Sequence, residues 1–158
     1  MPNLLSLSMI KKLLPMIITI INGPNLNLLG NREKDIYGEV AFEDYLEELR
    51  HRYNTIDFRY FQSNIEGELV NALQESAESS DGLILNAAGY THTSVSIADA
   101  VANIDIPVIE VHISNILARE EYRHISFVAP HCNGSLFFFV IDGYRLATDS
   151  LIDLLTGY

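Results

Sequence analysis

Hydrophobic residues along the chain alternate between short continuous runs and longer segments in which they recur every three or four positions. The first run, at 17–21, reads Ile-Ile-Thr-Ile-Ile. A continuous β-branched run of this kind is typical of a strand that is buried on both faces of a parallel sheet. Comparable runs predict further strands at 56–61, 82–86, 107–111 and 136–141.

The segments between these strands have helical periodicity. Over 42–53, apolar residues recur at three- and four-residue steps with Glu and Arg between them, which predicts an amphipathic helix. Further helices are predicted to begin at Glu66, to follow the Thr-His-Thr-Ser motif, and to cover 144–155. Ser63 or Asn64 is the expected N-cap of the helix that begins at Glu66.

This alternation of strand and helix predicts an α/β fold, a flavodoxin-like, doubly wound, three-layer αβα domain. Its five-stranded parallel sheet is expected to have the strand order 2-1-3-4-5. A chain of 158 residues is long enough for one domain with a sizeable core and short for two. We therefore expect a single catalytic domain over 16–158. Residues 1–15 lack the features of a signal peptide, and they are interpreted as a disordered extension, an upstream start or an interface arm.

Polar residues follow three strands that are neighbours in this predicted sheet. Asn25, Asn86 and His112 lie just past strands one, three and four. Ligands of open α/β sheets bind outside the carboxyl ends of the strands. We therefore expect these side chains to converge on one cleft.

A loop of about a dozen residues follows the first strand and carries Arg32 and Tyr37. Because it is longer than most connections in a compact domain, it is a candidate lid. A guanidinium close to the Tyr37 phenol would lower its pKa from about 10 and make it a general base. The alternative is that Arg32 is a solvated charge and Tyr37 an ordinary packed aromatic residue.

Glu110 and His112 are two positions apart on the fourth predicted strand, so their side chains point the same way. The carboxylate is then placed to select the tautomer of the imidazole, as a catalytic base or acid requires. The alternative is a partly buried histidine that only satisfies its own hydrogen bonds. Near the same edge, His92 precedes a predicted helix start, and Ser114 and Arg123 are candidate carboxylate ligands, although Arg123 fits a solvated charged face equally well.

Composition narrows the choice of partners. A net charge of −11 and a pI near 4.7 make nucleic acid and acidic membrane surfaces unsuitable partners, and no stretch is long and apolar enough to span a membrane. Cys132 is the single cysteine, which excludes an internal disulfide and a cysteine zinc cluster and fits a reducing cytoplasm. The five histidines lack metal-binding spacing on one predicted element, so no metal is expected.

Four blocks of the sequence closely resemble type II 3-dehydroquinate dehydratase, in order and spacing, over most of residues 17–126. They read NGPNLNLLGNREKDIYG, QSNIEGEL, ILNAAGYTHTSVSIADA and EVHISNILAREEYRHIS. The resemblance implies a subunit that forms trimers, commonly four to a dodecamer. It also implies cofactor-free anti elimination of water from 3-dehydroquinate, through an enolate, to give 3-dehydroshikimate.

The resemblance also implies roles for single residues. Tyr37 takes the proton from the carbon next to the ketone, and Arg32 lowers the pKa of Tyr37. His112 protonates the departing hydroxyl and is oriented by Glu110, while Asn25 holds a water near the enolate. The resemblance further assigns substrate contacts to Asn86, His92, Ile113, Ser114 and Arg123, and it implies that Asp99 reaches the site of a neighbouring subunit.

Some positions depart from the family pattern, none of them catalytic. Lys34 stands where Pro is usual, and Ile65 and Leu117 stand where His is common. The run 137–139 is Phe-Phe-Phe, and since three consecutive side chains cannot face one side of a sheet, we expect another subunit or residues 1–15 to cover part of it.

Two other classes of protein remain open from the sequence. One is a flavodoxin-like nucleotide- or flavin-binding module, which the missing Gly-rich phosphate loop after strand one argues against. The other is a noncatalytic homologue that only binds partners. A biosynthetic role in the shikimate pathway and a role in quinate breakdown are equally compatible with the sequence.

Overall fold

Five parallel strands form one sheet in the computed structural model, which describes residues 14–30 and 41–157. The strand order is β2-β1-β3-β4-β5, as predicted from the alternation of elements. The strands are β1 Met16–Asn22, β2 Ile56–Gln62, β3 Gly82–Asn86, β4 Val108–His112 and β5 Gly134–Phe137.

Helices cover both faces of the sheet and complete the three layers. Within the described residues they are α1 Phe42–Arg52, α2 Glu66–Ser79, α3 Val95–Ala102 and α4 Gly143–Thr156. Helices α1 and α4 pack on one face in one hydrophobic cluster, and α2 and α3 pack on the other face in a second. The fold is therefore the α/β, flavodoxin-like arrangement that the sequence predicts.

Alternation along the central strands explains why their sequences are mostly apolar. In β1, Ile18 and Ile20 belong to the cluster on the α1 and α4 side, whereas Ile21 belongs to the cluster on the other side. In β3, Ile84 and Leu85 divide between the same two clusters. Successive strand residues point to opposite faces, so a strand that is covered on both faces needs apolar residues at most of its positions.

The predicted N-cap of α2 is wrong. The N-cap is Ile65, which provides no side-chain cap. The Ser63 hydroxyl instead accepts from the Ile65 amide at 2.9 Å and donates to the Glu68 carboxylate. Asn64 faces the end of β1, where its side-chain oxygen accepts from the Asn25 amide at 2.9 Å. Ser63 therefore bonds locally without acting as the N-cap, and Asn64 bonds to the segment after β1.

The last strand also differs from the prediction of 136–141. It runs from Gly134 to Phe137 and stops because Phe138 and Val140 adopt φ values of 73° and 50°, which an extended strand does not allow. Phe138 and Phe139 are 65% and 51% exposed. The predicted covering of this phenylalanine run by another subunit or by residues 1–15 stays a prediction.

The remaining predicted boundaries agree with the structure to within one residue. Most of the predicted extension, residues 1–13, lies outside the described residues. In the described part of the chain, no helix combines the length and hydropathy that a membrane span needs.

Candidate active site

The carboxyl ends of β1, β3 and β4 open onto a cleft of about 350 Å³. The structure brings together there most of the side chains that the sequence singles out. Glu110 lies two residues before His112 on the same strand and is not one of the residues that line the cleft. The predicted site residues that line the cleft are Asn25, Asn86, His92, His112, Ile113, Ser114 and Arg123.

One predicted site residue besides Glu110 does not line this cleft, and two others fall outside the part of the chain that the structure describes. Asp99 is exposed on α3 and does not line it. Arg32 and Tyr37 lie outside the described residues, as does Lys34.

Glu110 and His112 form a buried pair at the end of β4. Their side chains are 1% and 5% exposed, and His112 Nε2 lies 2.8 Å from Glu110 Oε1. A carboxylate only accepts, so Nε2 carries the shared proton and Nδ1 is the ring nitrogen that this pair does not use. The two-residue spacing on a strand predicts this contact.

Three hydroxyl groups complete the surroundings of the Glu110 carboxylate. Thr91 and Ser126 donate to Oε1, the latter at 2.8 Å, and Ser135 donates to Oε2 at 2.8 Å. Burial by itself raises the pKa of Glu110, but the hydrogen bonds from His112, Thr91 and Ser126 outweigh it, and the pKa falls to about 2. Glu110 is therefore an anion at neutral pH. Sequence reasoning missed all three hydroxyls in this role, because no spacing along the chain relates them to Glu110.

His92 and His112 both line the cleft, and their rings stack on each other. The ring centroids are 6.1 Å apart and the rings are nearly parallel, at 23°. His92 Nδ1 lies 2.7 Å from the Ile125 carbonyl, which can only accept, so the neutral ring offers Nε2 as an acceptor. Burial, together with the nearby His112 and Arg123, lowers the pKa of His92. The N-cap of the helix that follows is Ser94, whose hydroxyl accepts from the Ile97 amide at 2.9 Å.

Of the residues that the structure describes, two arginines place their guanidinium groups along the cleft, in a chain of strongly negative net charge. Arg123 donates to the Glu120 carboxylate at 2.9 Å and lies over the Tyr122 ring, and Arg119 also lines the cleft. Arg119 is a cleft residue that the sequence analysis did not identify as one. A pair of arginines suits a substrate that carries a carboxylate.

The segment after β1 approaches β3 too closely for any side chain at Gly23. A Cβ atom there would lie 2.7 Å from the Ala87 carbonyl oxygen, and the Gly23 amide donates to the Asn86 carbonyl at 2.8 Å. Asn25 then adopts a left-handed φ of 67°. This close approach places Asn25 and Asn86 on the same cleft, and the apolar wall beside them comes from Leu26, Leu28 and Leu29.

Among the described residues, no group of three or more His, Cys, Asp or Glu side chains is arranged to hold a metal ion. Amide, hydroxyl and guanidinium groups of the cleft can bind small polar molecules, and its imidazole groups can also transfer protons to them.

A flavodoxin-like sheet with a buried carboxylate–imidazole pair at a strand end defines an α/β enzyme whose site is built for proton transfer. The family model described as "Dehydroquinase class II" matches residues 16–152. The chain therefore belongs to the class II dehydroquinase family. As a member of that family it is a hydro-lyase of the 3-dehydroquinate dehydratase type.

Individual relatives agree with the family match. A 3-dehydroquinate dehydratase of Campylobacter jejuni is 48% identical over 139 residues, covering 87% of this chain and 87% of the relative. One of Fusobacterium nucleatum is 48% identical over 141 residues, covering 86% and 96%. The crystal structure of a type II dehydroquinase from Butyrivibrio crossotus matches with a TM-score of 0.83 at 44% identity, covering 87% of this chain and 98% of that chain.

Proposed function

We propose that this chain converts 3-dehydroquinate to 3-dehydroshikimate by cofactor-free anti elimination of water through an enolate. The observation that carries the proposal is the buried Glu110–His112 pair beside a cleft lined by arginine, in a chain of this family. Such a cleft suits a small hydroxylated carboxylic acid.

The reaction needs two proton transfers. A base removes a proton from the carbon next to the ketone, and the electron pair is held as the enolate. The enolate re-forms the ketone as the carbon–oxygen bond to the hydroxyl breaks, and an acid gives that oxygen a proton so that it leaves as water. The product contains a carbon–carbon double bond conjugated with the ketone.

His112 is the proposed acid. The ionised Glu110 stabilises the imidazolium through the Nε2 proton, and the Nδ1 proton can then pass to the departing hydroxyl. After that transfer the ring is neutral, and its Nε2 proton stays on the ring and is still donated to Glu110. The transfer leaves Nδ1 without a proton and Tyr37 with the proton taken from the substrate, so one proton must pass from Tyr37 to Nδ1, through water, before the next turnover.

Tyr37 is the proposed base, with Arg32 lowering its pKa and Asn25 holding a water near the enolate oxygen. Arg123 is the proposed partner of the substrate carboxylate. The other proposed contacts to the substrate come from Asn86, His92, Ile113 and Ser114.

Asp99 has a different place in the proposal. Its carboxylate is exposed on α3 and outside its own cleft, so it is available to a second copy of the chain. We propose that it completes the site of a neighbouring subunit in a trimer, and that trimers assemble further to a dodecamer.

The test is an ultraviolet assay of the purified full chain for conjugated enone formed from 3-dehydroquinate. We expect turnover by the wild type, and a loss of turnover of about 10²- to 10⁴-fold in Tyr37→Phe and in His112→Ala with substrate binding retained. Sodium borohydride added with substrate is expected to leave no covalent adduct, because an enolate route forms no Schiff base. Wild-type protein that forms no enone contradicts the proposed function. Near-normal turnover of Tyr37→Phe would mean that Tyr37 is not the base. A covalent adduct on a lysine contradicts the enolate route.

A further inference from the structure

Tyr144 joins the ends of two strands through one buried hydroxyl group. It lies in the first turn of α4 and is fully buried. Its hydroxyl donates to Asn22 Oδ1 at 2.8 Å and accepts from Asn86 Nδ2 at 2.8 Å. Asn22 and Asn86 are the last residues of β1 and β3, where they pair with each other in the sheet. The mechanism proposed above assigns Tyr144 no role.

The direction of every hydrogen bond in this network follows from one backbone donor. The Ala88 amide can only donate, and it lies 3.1 Å from Asn86 Oδ1. The NH₂ group of Asn86 must then face Tyr144, so the Tyr144 oxygen accepts there and uses its own proton for Asn22. Asn22 Nδ2 in turn faces the Tyr60 hydroxyl at 3.4 Å. Burial raises the pKa of Tyr144 far above its ordinary value, so the hydroxyl keeps its proton.

These contacts leave a defined set of groups on Asn86 for a ligand. One N–H of its side-chain amide is bonded to Tyr144 and one lone pair of Oδ1 is bonded to Ala88. The remaining N–H and the remaining lone pair are the polar groups with which Asn86, as a cleft residue, can meet a hydroxyl of the substrate.

We infer that Tyr144 is a positioning residue of the dehydratase site, and that its hydroxyl acts by holding the Asn86 amide in the orientation that binds a substrate hydroxyl. This inference rests on the function proposed above. Without the Tyr144 hydroxyl, the NH₂ group of Asn86 loses its buried partner, and rotation of the amide toward another partner disturbs the contact to the substrate.

The neighbouring Tyr45 provides a matched control. Its ring contacts the Tyr144 ring at 6.4 Å between centroids, and both rings contact Phe42. The Tyr45 hydroxyl is buried too, yet it makes no hydrogen bond of normal geometry within the described residues, although the Arg145 backbone lies close to it. Tyr45→Phe and Tyr144→Phe therefore both remove a buried hydroxyl from the same aromatic cluster, and only the second removes a bond to Asn86.

The experiment is steady-state kinetics of the full chain with 3-dehydroquinate. We expect Tyr144→Phe to raise KM by about tenfold, the value of one hydrogen bond, with kcat almost unchanged. Tyr45→Phe is expected to leave both constants unchanged. Asn86→Ala is expected to raise KM at least as much as Tyr144→Phe, and the double variant Tyr144→Phe/Asn86→Ala is expected to equal Asn86→Ala alone. A merely structural role would instead add its own loss in the Asn86→Ala background.

A second variant covers the case in which Tyr144→Phe does not fold, as judged by circular dichroism. Asn22→Ala removes the acceptor of the Tyr144 proton. The Tyr144 proton then finds an acceptor in Asn86 Oδ1 only if the Asn86 amide flips, so a rise in KM is expected from this variant as well. A wild-type KM in folded Tyr144→Phe, or in Asn22→Ala where Tyr144→Phe does not fold, overturns the inference, and so do losses of Tyr144→Phe and Asn86→Ala that multiply in the double variant. Wild-type protein without dehydratase activity contradicts the proposed function instead, so the two failures are distinguishable.

Discussion

Glu110 has almost no exposure to solvent, and a carboxylate in such a place stays charged only where polar partners replace water. Three hydroxyls and the His112 ring supply those partners. Removing one partner would leave a buried charge undersatisfied, which costs more than the bond itself contributes. The same contacts that orient His112 therefore also make folding depend on pH.

That dependence has a definite sign. The pKa of Glu110 is lowered on folding, so its contribution to stability is present above the unfolded value of about 4.5 and is lost as pH falls toward about 2. From these two values, about 2 kcal/mol of that contribution is lost by pH 3. We expect the free energy of unfolding of the wild type to fall between pH 7 and pH 3 by about 2 kcal/mol more than that of Glu110→Gln. Urea titrations at the two pH values measure this, and equal losses in both proteins would mean that Glu110 is not ionised in the folded state.

At the level of secondary structure, the ends of β1 and β3 determine where the cleft residues lie. The Gly23 amide continues the pairing of the two strands one residue beyond β1. Asn25 follows in a left-handed conformation, and its amide is held by the Asn64 side chain. The close approach at Gly23 is therefore a condition for the geometry of this part of the cleft.

A substitution at Gly23 tests that condition. Gly23→Ala places a Cβ atom 2.7 Å from the Ala87 carbonyl oxygen, so the backbone of one strand end must move. We expect a loss of about 1–3 kcal/mol in the free energy of unfolding, together with a fall in kcat/KM as Asn25 and Asn86 separate. Gly67→Ala on α2 is the control, because an added Cβ there meets nothing within 4 Å and is expected to stabilise the helix by up to about 1 kcal/mol. A Gly23→Ala protein with wild-type stability and activity would contradict the importance of this approach.

On the scale of the whole molecule, several large apolar side chains are exposed on this single chain. Val95 and Ile125 are 61% and 65% exposed, and Phe138 and Phe139 are exposed as well. Asp99 lies one helical turn along α3 from Val95. An acidic residue that is proposed to serve a neighbouring site thus lies beside apolar surface that a second copy would bury.

Mixed assemblies test whether Asp99 serves another subunit. Asp99→Ala and His112→Ala are each expected to be severely impaired alone. When the two variants are co-expressed with different tags, some sites combine His112 of one subunit with Asp99 of the next. Random mixing produces about one such site in four, so activity is expected to exceed the sum of the parents. Verified mixed assemblies with no gain would mean that Asp99 does not serve a neighbouring site.

Local sequence pattern was sufficient to predict most of the fold. The β-branched run of β1 and the apolar segment of β3 must be buried on both faces of the sheet. Amphipathic helices such as α1 bury them, and short right-handed connections then leave few possible strand orders. The spacing of Glu110 and His112 on one strand likewise predicts their contact, because side chains two apart on a strand share a face. Each of these properties depends on residues that are close together along the chain.

Contacts between distant segments decided the rest. Ser135 and Thr91 meet Glu110, and Tyr144 meets Asn22, across separations along the chain of 25, 19 and 122 residues. Periodicity states which face of an element is buried, but it does not state which polar side chain meets which across the core. The hydroxyls around Glu110 and the tyrosine behind Asn86 therefore became visible only in the tertiary structure, where hydrogen bonds must be satisfied in three dimensions.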